Sequence, residues 1–282
     1  MNVLKKLICT ATVALSMASA HAGVMNNWVF NPNGGGYASG QAVGSYLDMY
    51  GSAFVQITAT SADTFNFVEH GAFDLYQADS NSQPFPSGGN ITATFEAYGS
   101  GHFNGAYAFG GGDLQLFHNP VKQYGKTDGI YGANLGTHIA DLEIMFGGGG
   151  NVDGNGGPVA GSPSTVLVMG WVLAPGYFFD GSGNDLLSDP DGRRMMLNFT
   201  SNGVAPDLMM VGELACEFSH YTGPGCGLGT YSNVAGNHYF TRNTGGELKL
   251  LSANVPEPGS PAILAIGLLG AGIVLRKRGK KA

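Results

Sequence analysis

Apolar and polar residues alternate with a period of two along much of the chain. Between residues 90 and 98, Ile91, Ala93, Phe95 and Ala97 alternate with Thr92, Thr94 and Glu96; between 53 and 60, Val55, Ile57 and Ala59 alternate with Gln56, Thr58 and Thr60. Successive side chains of a strand point to opposite faces, so this pattern predicts half-buried strands with one face on a core and one in water. Further strands are predicted over 27–31, 64–70, 73–77, 113–118, 139–146, 193–200, 207–218 and 246–252. In 139–146 the apolar set is Ala140, Leu142, Ile144 and Phe146, opposite Asp141, Glu143 and Met145. Residues 165–173 are apolar on both faces beyond Thr165, which predicts a central strand. The glycine run from Gly147 to Pro158 reads as a long loop. No stretch of the body shows sustained helical periodicity with caps. Many short strands and frequent turn signals predict an all-β fold, a single antiparallel β-sandwich or jelly roll over residues 23–254.

Both ends depart from this pattern. Lys5 and Lys6 precede an apolar run over 7–18, followed by Ala18-Ser19-Ala20 and Ala20-His21-Ala22, the layout of a secretory signal peptide ending at residue 22. At the other end, Pro256-Glu257-Pro258 leads into 15 uncharged residues, 261–275, and then Arg276-Lys277-Arg278-Gly279-Lys280-Lys281. This run is shorter than the roughly 17 to 25 residues of a permanent spanning helix. It predicts a marginal transmembrane segment, with the basic cluster on the cytoplasmic side. The two prolines keep the junction extended, open to a processing enzyme.

A Pro-Glu-Pro motif, a short apolar helix and a terminal Arg/Lys cluster, in that order, resemble the PEP-CTERM sorting signal of Gram-negative bacteria that make exopolysaccharide. The resemblance covers 255–282. It implies recognition at Pro256, Glu257 and Pro258 and cleavage by an exosortase. It further implies export across the inner membrane, with the body released to, or fixed in, the outer surface or extracellular matrix. An ordinary tail anchor is the alternative.

Without the two ends, the body carries six Lys/Arg against 19 Asp/Glu, a net charge of −13. Nucleic acid and anionic lipid bind mainly through Lys and Arg, so this balance argues against both. Divalent cations and neutral or cationic polymers fit it better. Cys216 and Cys226 are an even pair in an exported chain, which predicts one disulfide closing a short loop.

Catalytic motifs do not emerge. There is no Gly-x-Ser-x-Gly, no His-Glu-x-x-His and no Lys-Ser/Thr after the glycine run. His70, His102, His118, His138, His220 and His238 are scattered; Glu69-His70, or His138 with Asp141, would form a constellation only if the fold joined them. On a strand, Glu213 and Glu217 would lie roughly 13 Å apart, beyond either glycosidase geometry. Asp180, Ser182, Asn184 and Asp191 partly resemble a calcium loop, although Asp185 stands where an EF-hand has glycine. The competing reading is a solvated acidic turn. Trp28, Tyr37, Tyr46, Tyr98, Tyr107, Tyr131, Tyr177, Tyr221, Tyr231 and Tyr239 lie beside Gly and Asn; any that are exposed would offer faces on which sugar rings stack.

Asn27-Trp28-Val29-Phe30-Asn31-Pro32, Tyr46-Leu47-Asp48, Phe54-Val55-Gln56 and Phe67-Val68-Glu69-His70-Gly71, with the sorting tail, are similar to the flocculation-associated PEP-CTERM proteins of floc-forming bacteria. The resemblance implies a non-enzymatic matrix protein that helps cells aggregate with exopolysaccharide. The alternatives are a secreted polysaccharide-modifying enzyme and a purely structural surface protein. Exposed aromatics beside a groove favour sugar binding, and paired carboxylates at glycosidase spacing favour the enzyme.

Overall fold

A computed structural model of the chain describes residues 23–251, apart from 82, 189–192 and 228. The predicted signal peptide, Pro256-Glu257-Pro258 and the apolar segment after them lie outside the described residues. Among the described residues, no helix is long and apolar enough to cross a membrane. Val24–Leu251 form one compact unit.

Eight antiparallel strands close into a barrel: β3 (Leu47–Ala59), β4 (Thr64–Ala78), β5 (Asn90–His102), β6 (Ala106–Asn119), β7 (Thr137–Asn151), β8 (Pro163–Val172), β10 (Arg193–Val204) and β11 (His238–Leu250). Each pairs with the next barrel strand in the chain, and β11 closes on β3 through Phe240↔Phe54 and Leu248↔Leu47. The predicted sandwich or jelly roll is therefore corrected to a single closed meander. Alternation cannot separate the two, because one inward and one outward face leave the same pattern in either. Closure is decided by a pairing between the two ends of the body, which no local stretch records.

Inward positions are apolar: Leu47, Met49 and Val55 of β3, Phe65, Phe67 and Phe73 of β4, Phe95 of β5, Leu142 of β7, Val166 and Val168 of β8 and Leu197 of β10 share one core. An eight-stranded barrel is just wide enough for such side chains to fill it. Thr92, Thr94 and Glu96 point the other way, the reverse of a transmembrane barrel, whose outward band is apolar. A small sheet of β1 (Trp28–Phe30), β2 (Gln41–Val43) and β9 (Phe178–Phe179) extends this core beyond the starts of β3 and β5. There Trp28 stacks on Phe178 with ring centroids 6.2 Å apart.

Two local readings are also corrected. Residues 207–218 are not a strand but helix α1, a turn at Leu208–Met210 that runs into a π-helical segment, Val211–Phe218. The Asp207 carboxylate caps it by accepting from the Met210 N–H at 2.8 Å. Met210, Val211, Leu214 and Ala215 pack on Phe54, Ala72 and Phe240 of the barrel's outer wall. The Cys216–Cys226 disulfide forms, tying α1 to the segment after it. The first part of the glycine run, read as a loop, is strand: β7 continues to Asn151, with Gly148 opposite Val166 and Gly149 opposite Thr165, and the loop is confined to the residues after it.

Candidate functional site

Glycines cluster where three successive barrel pairings break register. The pairing of β5 with β6 shifts between Tyr98 and Gly99, that of β6 with β7 between Ala108 and Asp113, and that of β7 with β8 between Ile144 and Gly148. These are β-bulges, which bend and coil a strand locally. Side chains are excluded at the bend: a Cβ on Gly112 (φ +135) would sit 2.0 Å from the Glu96 carbonyl oxygen.

On the outer wall the bulges leave a groove of about 340 Å³, floored by Gly110, Gly111 and Gly112 and walled by Tyr98, Glu143, Ile144, Met145, Phe146 and Met169. Ligand sites commonly enclose roughly 300 to 1,000 Å³. The Tyr98 ring lies against the glycine floor, since a Cβ on Gly111 would meet its hydroxyl at 2.5 Å and one on Gly110 would meet its Cε2 at 3.2 Å. Its other side is open: Tyr98 is 55% exposed, and Phe146 across the groove is 85% exposed. Trp171, 52% exposed, stands on the outward face of β8 two residues from Met169.

Carboxylates rim the same wall. Glu96 is the register partner of Asp113, and Asp113 that of Glu143. Like charges directly opposite one another destabilise a sheet, so this row costs the barrel stability. Burial, and then the charges of Asp141 and Glu96, raise the Asp113 carboxyl above its ordinary value. Aromatic faces over a flat floor, beside a row of hydrogen-bond acceptors, can stack a sugar ring and take hydrogen bonds from its hydroxyls.

Only part of this set was legible. Tyr98 stands among the aromatics read from the sequence, whereas Trp28, Tyr107 and Tyr239 of the same group pack inward. The alternation of β7 predicts Phe146 with Ala140, Leu142 and Ile144 on the inward face; the bulge after Ile144 turns it out. Trp171 was hidden in a stretch that looked apolar on both faces, yet Leu167, Met169 and Trp171 face outward with no second layer fully covering them. The signal for Phe146 was the Gly147-Gly148-Gly149-Gly150 run that interrupts its alternation.

The other predicted residues are placed differently. The Asp180 carboxylate accepts from the backbone N–H groups of Ser182 at 2.8 Å and Asn184 at 2.9 Å and from the Asn184 side chain at 2.7 Å. The Asn184 side-chain bond is the main cause that lowers its pKa. These bonds close the turn locally, and Asp191 lies outside the described residues. Among the described residues, no group of three or more His, Cys, Asp or Glu is placed to hold a metal. Glu69 and His70 fall on opposite faces of β4. Glu69 points inward, lining with Tyr107, Tyr239 and Thr241 a cavity of about 30 Å³. His138 stacks on Phe117 with centroids 4.8 Å apart. Glu213 and Glu217 share α1 instead of a strand, and after burial the Glu217 charge is the next cause raising the Glu213 pKa.

Residues 254–278 match the PEP-CTERM protein-sorting motif. The chain is thus an exported protein addressed to the cell surface or extracellular space and processed by an exosortase. No curated protein and no solved structure matches the chain.

Proposed function

We propose that the mature body binds exopolysaccharide in the extracellular matrix and promotes flocculation or biofilm formation, with the glycine-floored groove as its glycan site. The observation that carries this reading is the Tyr98 ring, seated on Gly110 and Gly111 with its outer face open and Phe146 exposed across from it. Isolated surface aromatics are ordinary. Two on one groove, with Trp171 nearby on the same outer wall, form a platform, and the sorting motif supports a location outside the cell, where an exported polymer can be met.

Affinity electrophoresis through gels containing the host exopolysaccharide tests it. The chain from Gly23 should be retarded, and a Tyr98→Ala/Phe146→Ala double variant should lose roughly tenfold in affinity, since each stacking contact contributes about 0.5 to 1.5 kcal/mol. Equal retardation of the two proteins would show that the groove is not the site.

A second reading is favoured by the opposed pair Glu96 and Asp113. Directly opposite residues of an antiparallel pair have Cβ atoms about 4.5 to 5.5 Å apart, and retaining glycosidases hold their carboxyls about 5 to 5.5 Å apart. Reducing ends released from the polymer by the wild type, and not by Asp113→Asn, would favour hydrolysis over binding.

A further inference from the structure

A second cavity lies elsewhere on the outer wall, where the β6–β7 connection passes over β3 and β11. Tyr50 and Ser52 of β3, Tyr124 and Tyr131 of the connection and Arg242 of β11 enclose about 310 Å³. Tyr124 meets Tyr50 nearly edge-on at 5.6 Å and 84°, and Tyr131 at 5.3 Å and 86°. The Tyr50 hydroxyl donates to Asp74 Oδ2 at 2.8 Å, and the Tyr124 hydroxyl to the Ala72 carbonyl at 3.1 Å. These bonds fix the two rings. Tyr131 is held at φ 50°, ψ 31°, in the left-handed region that residues with a Cβ seldom adopt. The fold keeps its ring at the cavity against the backbone's own preference.

Arg242 is the cationic member, and it is exposed. Two carboxylates act electrostatically on the cavity's tyrosines, Asp74 and Asp207. Each already has a partner: Asp74 accepts from the Tyr50 hydroxyl and is paired with Lys122 Nζ at 3.0 Å, and Asp207 caps α1. Among the described residues, none forms an ion pair with Arg242. A guanidinium is a planar fork of donors matched to the two oxygens of a carboxylate. Tyrosine rings supply apolar faces with polar tips.

We propose that this cavity binds a hexuronate residue of an acidic polysaccharide, its carboxylate paired with Arg242 and the C–H face of its ring against the tyrosines. The site is separate from the glycine-floored groove and does not depend on it. The net charge of the body does not forbid an anionic ligand, because exposed charges are screened beyond about 8 Å at physiological salt. Phosphate would satisfy the guanidinium but brings no apolar face for the rings.

The chain from Gly23 is titrated in a calorimeter with tri-galacturonate, maltotriose and inorganic phosphate, alongside Arg242→Gln, Tyr131→Ala and Tyr98→Ala. Tri-galacturonate should bind at least tenfold more tightly than maltotriose or phosphate. Arg242→Gln and Tyr131→Ala should each weaken it at least tenfold, both in the wild-type chain and in a Tyr98→Ala background that removes the groove's stacking ring. No binding of tri-galacturonate, or equal binding of maltotriose or of phosphate by the Tyr98→Ala chain, whose groove has lost its stacking ring, would overturn the proposal. So would loss in Tyr98→Ala with retention in Arg242→Gln, which would assign the uronate to the groove. Melting curves establish that each variant is folded. If Arg242→Gln melts early, Arg242→Lys replaces it, and undiminished affinity in that variant would exclude the guanidinium fork.

Discussion

Glu69 and His70 are adjacent in the chain, and β4 sends the first into the barrel and the second against α1. Burial among Val55, Phe67 and Tyr239 pushes the Glu69 carboxyl up to about 7. Burial, and then the charge of His220, pulls His70 down to about 4, with its ring 4.8 Å from that of Phe218. The signs oppose. Between about 4.5 and 7 the folded state holds a proton on Glu69 that the unfolded chain has released, so stability is lost as pH rises through that window. Between about 4 and 6.5 the unfolded chain holds a proton on His70 that the folded state has released, so stability is gained as pH rises. Over their common range the two contributions cancel. Glu69→Gln should therefore unmask a rise in stability between pH 4 and 6.5, and at pH 8 it should exceed the wild type by about 3 kcal/mol. Urea unfolding at pH 4, 6 and 8 measures both effects; parallel profiles for wild type and variant would show that the Glu69 pKa is not raised on folding.

Helix α1 is the element that local reading missed. Its buried positions, Met210, Val211, Leu214 and Ala215, follow the three- and four-residue spacing of a helix, and Asp207 stands at the cap. Gly212 interrupts the segment, and an apolar run this short fits a strand as well as a helix. What decides is the apolar patch of Phe54, Ala72 and Phe240 on the outer wall, a surface that exists only once β3, β4 and β11 have paired. The disulfide holds the element in place by closing a loop between residues 10 apart. Chain entropy gives such a closure roughly 2 to 3 kcal/mol. Cys216→Ser/Cys226→Ser should lower the unfolding free energy by that amount, and Asp207→Ala should cost about 1 kcal/mol through the lost cap. Denaturant curves of both variants check this, and an unchanged midpoint without the disulfide would show that α1 is held by its packing alone.

For the whole molecule, the closed barrel exposes few strand edges to unintended partners, which suits a protein addressed to the cell surface or extracellular space. Its address is a separate matter, written in residues 254–278. Replacing Pro256, Glu257 and Pro258 with alanine should leave the barrel folded and prevent exosortase processing. Cell fractionation should then find the protein in the membrane fraction and no longer at the surface. Settling of a deletion strain should be restored by the intact gene and not by the altered one. Normal settling in the deletion strain would remove flocculation from the proposed role, while fractionation would still report on sorting.

The sequence by itself determined the β class of the body, the inward faces of most strands, the disulfide and the sorting address, because each is written in neighbouring residues or in chemistry that needs no partner. Val55, Ile57, Phe65, Phe67, Ile91 and Phe95 lie in the core as their alternation predicts, since a period of two survives whatever the sheet packs against. Only the tertiary structure decided that β11 closes on β3, that α1 is a helix, and that Phe146 and Trp171 face outward. Those outcomes depend on pairings between distant strands and on bulges that shift the alternation by a residue. The groove and the tyrosine-arginine cavity belong to this second group: Tyr98 and Phe146 line one groove only once β5, β6 and β7 have paired, and Tyr131 and Arg242 line one cavity only once β11 has closed on β3.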